Sequence, residues 1–193
     1  MTPEQEKHLQ HYIKRVADAG ILLVSFADRS RLEERHLAPS LAGLELLPES
    51  GRVLDIGSGG GFPAIPLAIL TPHLSYTLVE SNSRKAAFLR RVSRETELEQ
   101  RVTVLCQRVE DTELVEGGGL RSEVFDCIMA RAVTDLPHLV KWSRQLLHPD
   151  GFFLFWKGKD WRREAWPEEL GLKLLKELNL ADGSKLIKLI VEK

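Results

Sequence analysis

After a polar start at Thr2-Pro3-Glu4-Gln5, Leu9, Ile13, Val16 and Ala17 recur at three- and four-residue steps. That spacing lines one face of a helix, and the threonine, proline and glutamine form a capping signature at its start. A first helix is therefore predicted to about Asp18. Ser30-Arg31-Leu32-Glu33 repeats the signature, and Leu37, Leu41 and Leu44 continue at helical spacing, so a second helix is predicted from Ser30. Pro48 and Gly51 close this helical preface.

From Arg52 the rhythm changes to short apolar runs alternating with helical stretches, the pattern of a parallel sheet covered on both faces. Strands are predicted at 53–56, 75–79, 102–106, 125–129 and 152–156, and helices near 63–70, 83–96, 135–147 and 162–169. "GLKLLKELNLADGSKLIKLIVEK" reads as two strands around a loop ending in Asp182-Gly183. It forms a closing hairpin whose last strand runs antiparallel to the rest. Gly117-Gly118-Gly119 predicts a flexible loop. The expected architecture is one α/β domain over 1–193, with a mostly parallel seven-stranded sheet in 51–193 and a helical extension in 1–50.

Composition narrows the class. Of 193 residues 43% are hydrophobic, enough for one sizeable core, and the formal net charge is −1, so no global basic field advertises nucleic acid. Cys106 and Cys127 each sit in an apolar run without paired spacing, which predicts buried thiols in a reducing compartment. No basic-then-apolar leader and no apolar run of about 18 residues is present, so a cytoplasmic protein without a membrane partner is expected.

The densest signal is "VLDIGSGGGFPAIPLAIL" at 53–70, a strand, a glycine-crowded turn and a helix start. Glycines there allow positive φ and close approach of a ligand, and the free N–H groups of a helix start favour an anion. Pro66 is tolerable only if the helix begins beside it. Gly59-x-Gly61-x-x-Ala64 fits a loose dinucleotide pattern, while Asp55-x-Gly57-x-Gly59-x-Gly61 fits the loop of Rossmann-like methyltransferases that use S-adenosylmethionine (SAM). Glu80 ends the next strand and can accept from both ribose hydroxyls of either ligand. Asp55 either serves the ligand or ties down the loop backbone.

Later residues favour SAM. Neither Tyr12 nor Tyr76 has a lysine four positions on, as a nicotinamide site commonly requires, and no phosphate-binding P-loop occurs. "RVED" places Val109 against an adenine ring and Glu110 at its amine. A dinucleotide-binding module and a small-molecule methyltransferase are the competing readings.

Different acceptors leave different marks in a sequence. "MARAVTDLP" after the fourth strand lacks the Asn/Asp-Pro-Pro-aromatic motif of adenine-amine methylation, neither cysteine suits attack on a pyrimidine, and the six histidines have no metal-ligand spacing, so no metal is expected. The absence of a base fits an acceptor such as guanine N7, which carries a lone pair and no proton and attacks a sulfonium methyl through alignment alone, and it leaves other acceptors open.

The stretches "ERHLAPSL" at 34–41, "DIGSGGGFPAIPLAI" at 55–69, "VESNSRKAAFL" at 79–89, "RVED" at 108–111, "FDCIMARA" at 125–132 and "FWKG" at 155–158 resemble the RsmG (GidB) family. These are bacterial class I methyltransferases that modify a guanine N7 in 16S ribosomal RNA. The resemblance implies SAM against Gly57, Phe62, Glu80, Ser81, Asn82, Val109, Glu110 and Arg131. Arg131 is also the candidate to orient the guanine or its phosphate, or to pair with the carboxylate of SAM; a structural ion pair is the plainer alternative. The family often reads Asn-Leu-Thr where this chain has Leu23-Val24-Ser25, and an acidic step where Ala38-Pro39-Ser40 stands.

For RNA, Arg84, Lys85, Arg90, Arg91 and Arg94 crowd one helix. Lys157, Lys159, Trp161, Arg162 and Arg163 follow the fifth strand, where lysine and arginine would neutralise phosphates and a tryptophan would stack a base. Trp156 is expected inside the core. Arg29, Arg31 and Arg35 form a weaker cluster. With no separate RNA domain, the expected partner is 16S rRNA folded in a small ribosomal subunit, bound by a monomer, with no DNA.

Overall fold

The computed structural model describes residues 1–111 and 124–192, so the glycine triplet at 117–119 lies outside the described residues. Five helices and seven strands are named here: α1 (Pro3–Ala17), α2 (Ala38–Leu41), α3 (Ala64–Leu70), α4 (Ser83–Glu95), α5 (Leu136–Ser143), and β1 (Gly51–Ile56), β2 (Leu74–Val79), β3 (Val102–Leu105), β4 (Phe125–Arg131), β5 (Leu147–Lys157), β6 (Leu172–Asn179), β7 (Lys185–Val191). They build one sheet in the order β3-β2-β1-β4-β5-β7-β6. The first five strands run parallel, while β7 lies antiparallel to both β5 and β6. The predicted closing hairpin is therefore present. Chain order reverses between β1 and β4, and the crevice at their carboxyl ends is where open α/β sheets bind ligands.

Alternation along β1 divides the core. Val53 joins Tyr12, Tyr76, Cys127 and Leu154 on one face, and Leu54 joins Ile128, Leu139 and Phe153 on the other. The expected capping box of α1 is made by Thr2 and Gln5. Pro66 falls at the third position of α3, where the N–H would have no partner within the helix. Asn82 caps α4 by accepting from the N–H groups of Arg84 (3.0 Å) and Lys85 (3.2 Å).

Three expectations are corrected. The second helix is not continuous: a 3-10 turn (Phe26–Arg31), a π turn (Glu33–Leu37), α2 and a 3-10 turn (Leu44–Leu46) replace it. Pro39 explains the break, because its ring and missing N–H are incompatible with a helix interior. The cap in use is Ser25, whose side chain accepts from the Asp28 N–H. Residues 162–169 form two 3-10 turns, split where Pro167 restarts the chain. Cys106 is exposed just beyond β3, whereas Cys127 is buried and its thiol is pushed up by burial. No helix among the described residues is long and apolar enough to cross a membrane.

Candidate active site

The loop after β1 bends through left-handed conformations at Gly57 (φ 67°), Gly59 (φ 55°) and Gly61 (φ 99°). At Gly57 space is also short, since a Cβ there would lie 2.6 Å from Cγ2 of Val133. Val133 reaches it because Ala132 turns the chain at φ 54°, a conformation uncommon for a residue with a side chain. Tyr12 on α1 donates its hydroxyl to the Gly60 carbonyl at 2.9 Å, fastening the loop from below.

Four of the loop N–H groups are bonded within the protein. Gly57 and Ser58 donate to the Val79 carbonyl (2.8 and 3.1 Å), Gly61 donates to the Ser58 carbonyl (2.7 Å), and Gly59 donates to the Glu80 carboxylate (2.8 Å). The other Glu80 oxygen accepts from the Asn82 N–H at 2.7 Å. Glu80 thus makes the backbone tie that Asp55 was a candidate for. Asp55 is 1% exposed, neither carboxylate oxygen has a hydrogen-bond partner, and burial pushes its pKa up to about 7.

Two clefts flank the loop and share Gly57. One, of about 200 Å³, is lined by Ile56, Val79, Ser81, Val109, Glu110 and Trp142. Ser81, Val109 and Glu110 therefore come together as the sequence predicted, with Glu110 also paired to Arg108 at 3.3 Å. The other, of about 220 Å³, is walled by Gly59, Phe62, Glu80, Lys85, Arg131 and His36, with Leu23 and Val24 closing one side. Gly61, within the loop, and the buried Asp55 line neither cleft, and Asn82 serves as the cap of α4.

The N-terminal extension is a wall of this second cleft. In a regular helix the Pro39 N–H would bond the Arg35 carbonyl; lacking it, that carbonyl accepts from Arg131 at 2.6 Å. Arg131 also donates to the His36 carbonyl (3.2 Å) and approaches Asp182 of the β6–β7 turn (3.8 Å). Trp156 is buried on β5, as expected, and donates to the Pro39 carbonyl at 2.7 Å. The His36 ring packs on Phe62 with centroids 5.1 Å apart, and Phe62 packs on Tyr12 at 5.0 Å. Burial, then the nearby Arg131, lowers the His36 pKa, although Asp28 lies 3.4 Å from its Nε2.

The aromatic-basic stretch after β5 is largely structural, a correction to its expected role. Trp161 is 1% exposed and unable to stack a base. Lys157 is buried, donating to the Thr134 carbonyl (2.8 Å) and pairing with Glu164 (2.6 Å), which in turn accepts from the Leu136 N–H (2.6 Å). Arg162 pairs with Glu177 at 2.7 Å and covers the Trp161 ring. Lys159 and Arg163 remain exposed. On α4, Arg84, Arg90, Arg91 and Arg94 are exposed, Arg91 pairs with Glu95 at 2.8 Å, Arg90 donates to the Val104 carbonyl, and Lys85 turns into the second cleft.

His36 and Trp142 were not singled out from the sequence. His36 stands inside the "ERHLAPSL" stretch, which was a usable signal; Trp142 carried none, because only α5 packing brings it to the cleft.

The rRNA small subunit methyltransferase G (GidB) family matches residues 5–180. The ribosomal RNA small subunit methyltransferase G of Gluconobacter oxydans is 45% identical over 142 residues, 74% of this chain and 68% of that relative. The protein of the same name from Thermobifida fusca is 37% identical over 176 residues, 90% of this chain and 70% of its own length. Among solved structures, a ribosomal protein L11 methylase from Lactobacillus delbrueckii superposes with a TM-score of 0.61 at 13% identity, covering 80% of this chain and 77% of its own. The O-methyltransferase NcsB1, solved with SAM, reaches a TM-score of 0.55 at 19% identity over 73% of this chain and 49% of its own. The fold is that of class I methyltransferases, and the chain belongs to the rRNA small subunit methyltransferase G family.

Proposed function

We propose that the protein transfers the methyl group of SAM to N7 of a guanine in 16S rRNA, acting on a folded small ribosomal subunit. Family membership over residues 5–180 supports the methyltransferase activity and the rRNA acceptor. The observation that carries the cofactor is the polarity of the glycine loop. Four of its N–H groups are taken by the protein, and the Glu80 carboxylate stands against it and lines the second cleft. A pyrophosphate would find few free donors and a carboxylate there. A ligand with a sulfonium and an ammonium group finds complementary charge.

In this reading Ser81, Val109, Glu110 and Trp142 hold the adenine, Glu80 stands at the ribose, and the second cleft takes the methionine end and the acceptor. Bound there, SAM supplies an electrophilic methyl that a nitrogen lone pair takes without loss of a proton. The chain's residues align the partners and wall out water with Leu23, Val24 and Phe62. Burial keeps His36 neutral, and Asp182 with two carbonyls balances Arg131. The decisive experiment incubates labelled SAM with small subunits from cells lacking the activity and maps the modified base. Label at a guanine N7 is the expected result, and label on no ribosomal RNA would overturn the proposal.

A further inference from the structure

Leu23 sits directly on the glycine loop: a Cβ at Gly60 would lie 3.0 Å from the Leu23 carbonyl and 3.1 Å from its Cβ. Leu23 and Val24 face inward, each 8% exposed, and line the second cleft. Their neighbours face the other way, with Leu22 63% and Phe26 83% exposed. Phe26 follows Val24 by two residues, so the chain can carry it no more than about 7 Å from the cleft wall.

The ring is held ready. Ser25 accepts from the Asp28 N–H (3.2 Å) and donates to its carboxylate (2.6 Å), closing the turn that carries Phe26. Arg29 donates to the carbonyls of Ala19 (3.3 Å) and Ile21 (3.4 Å), and its guanidinium stands 5.8 Å from the Phe26 ring centre. The same cleft is lined by Lys85 of α4, with Arg84 exposed beside it in sequence. Phe26 presents an aromatic face, and Lys85 and Arg84 present cations. Together these are the two elements of single-stranded nucleic-acid recognition, a stacking platform and a track for phosphates.

Resting on the RNA substrate proposed above, we propose that Phe26 is a positioning residue on which an unpaired base of the RNA stacks as the target guanine enters the second cleft, with its phosphates toward Arg84 and Lys85.

The test compares Phe26→Ala and Phe26→Trp with the parent protein in methylation of small subunits, in SAM binding by calorimetry, and in filter binding of deproteinised 16S rRNA. Phe26→Ala should raise KM for subunits about 10-fold, the scale of one lost stacked base, with kcat, melting temperature and SAM affinity unchanged, and Phe26→Trp should restore it. Affinity for deproteinised rRNA should fall by a similar factor with an unchanged salt slope, because stacking releases no counterions. An unchanged KM, or a loss that also appears in SAM affinity or melting temperature, overturns the proposal. A loss seen with subunits and absent with deproteinised rRNA would assign the ring to a ribosomal protein instead. The rRNA binding arm does not depend on methyl transfer, so a failure of the enzymatic reading is separately visible.

Discussion

Arg131 at the end of β4 and Arg35 in the π turn are 96 residues apart, yet the guanidinium of one holds the backbone carbonyl of the other at 2.6 Å. Pro39 makes that contact available, and Arg131 uses it to seat the N-terminal extension against the sheet. The extension then supplies His36, Leu23 and Val24 to the second cleft.

Arg131→Ala should therefore strip partners from two carbonyls and the Asp182 carboxylate. A loss of about 2 kcal/mol is expected, or about 4–8 °C in melting temperature for a chain of this size. Arg131→Lys should recover part of it, since one ammonium lacks the planar fork. An unchanged melting temperature with collapsed SAM binding would show instead that Arg131 serves the ligand alone.

Glu80→Ala removes the acceptors of the Gly59 and Asn82 N–H groups and, in the proposed reading, that of the ribose. SAM affinity is expected to fall by about 1.5–3 kcal/mol or more, roughly 10- to 100-fold in Kd by calorimetry. Binding at parental strength would mean the ribose lies elsewhere.

Asp55 ties stability to pH. Its pKa is about 7 in the fold and near 3.8 when free, so the folded state holds the extra proton between those values. Stability from this group is fully present below about pH 4 and is lost as pH rises through about 7, by up to roughly 4 kcal/mol. Asp55→Asn should flatten that decline in melts of the ligand-free protein. In the parent, affinity for SAM should climb over the same pH range as the carboxylate ionises; a pH-independent Kd would separate Asp55 from the ligand.

His36 and Asp28 form the one His–carboxylate pair facing the second cleft among the described residues. Attack by N7 transfers no proton, so His36→Phe, which keeps a ring on Phe62, should hold kcat within about 10-fold. A base-dependent acceptor would instead lose 100- to 10,000-fold. The size of that effect decides between a guanine N7 and the small-molecule acceptors that need deprotonation.

Much of this was legible along the chain. Apolar periodicity marked α1, α3, α4 and all seven strands, because an element must bury one face and repeats accordingly. The positions of the glycine loop and Glu80 directly after strands, and of the Val109-Glu110 pair a few residues after one, were legible for the same local reason, since predicted strands precede them.

Contacts between distant segments were not legible. Trp156 and Trp161 lie five residues apart in one aromatic-basic stretch, and nothing local said that the second would be as buried as the first. The second helix looked continuous because the pattern of leucines outvoted Pro39, whose effect is a single missing hydrogen bond. Sequence by itself determined the strand-loop-helix signature and the acids that border it, since those follow from chain order and periodicity. Tertiary structure alone decided that Glu80 occupies the loop, that Asp55 is stranded without a partner and that Arg131 buckles the N-terminal wall. Each of these depends on which groups meet after desolvation, and pairing across many residues leaves no mark in local periodicity.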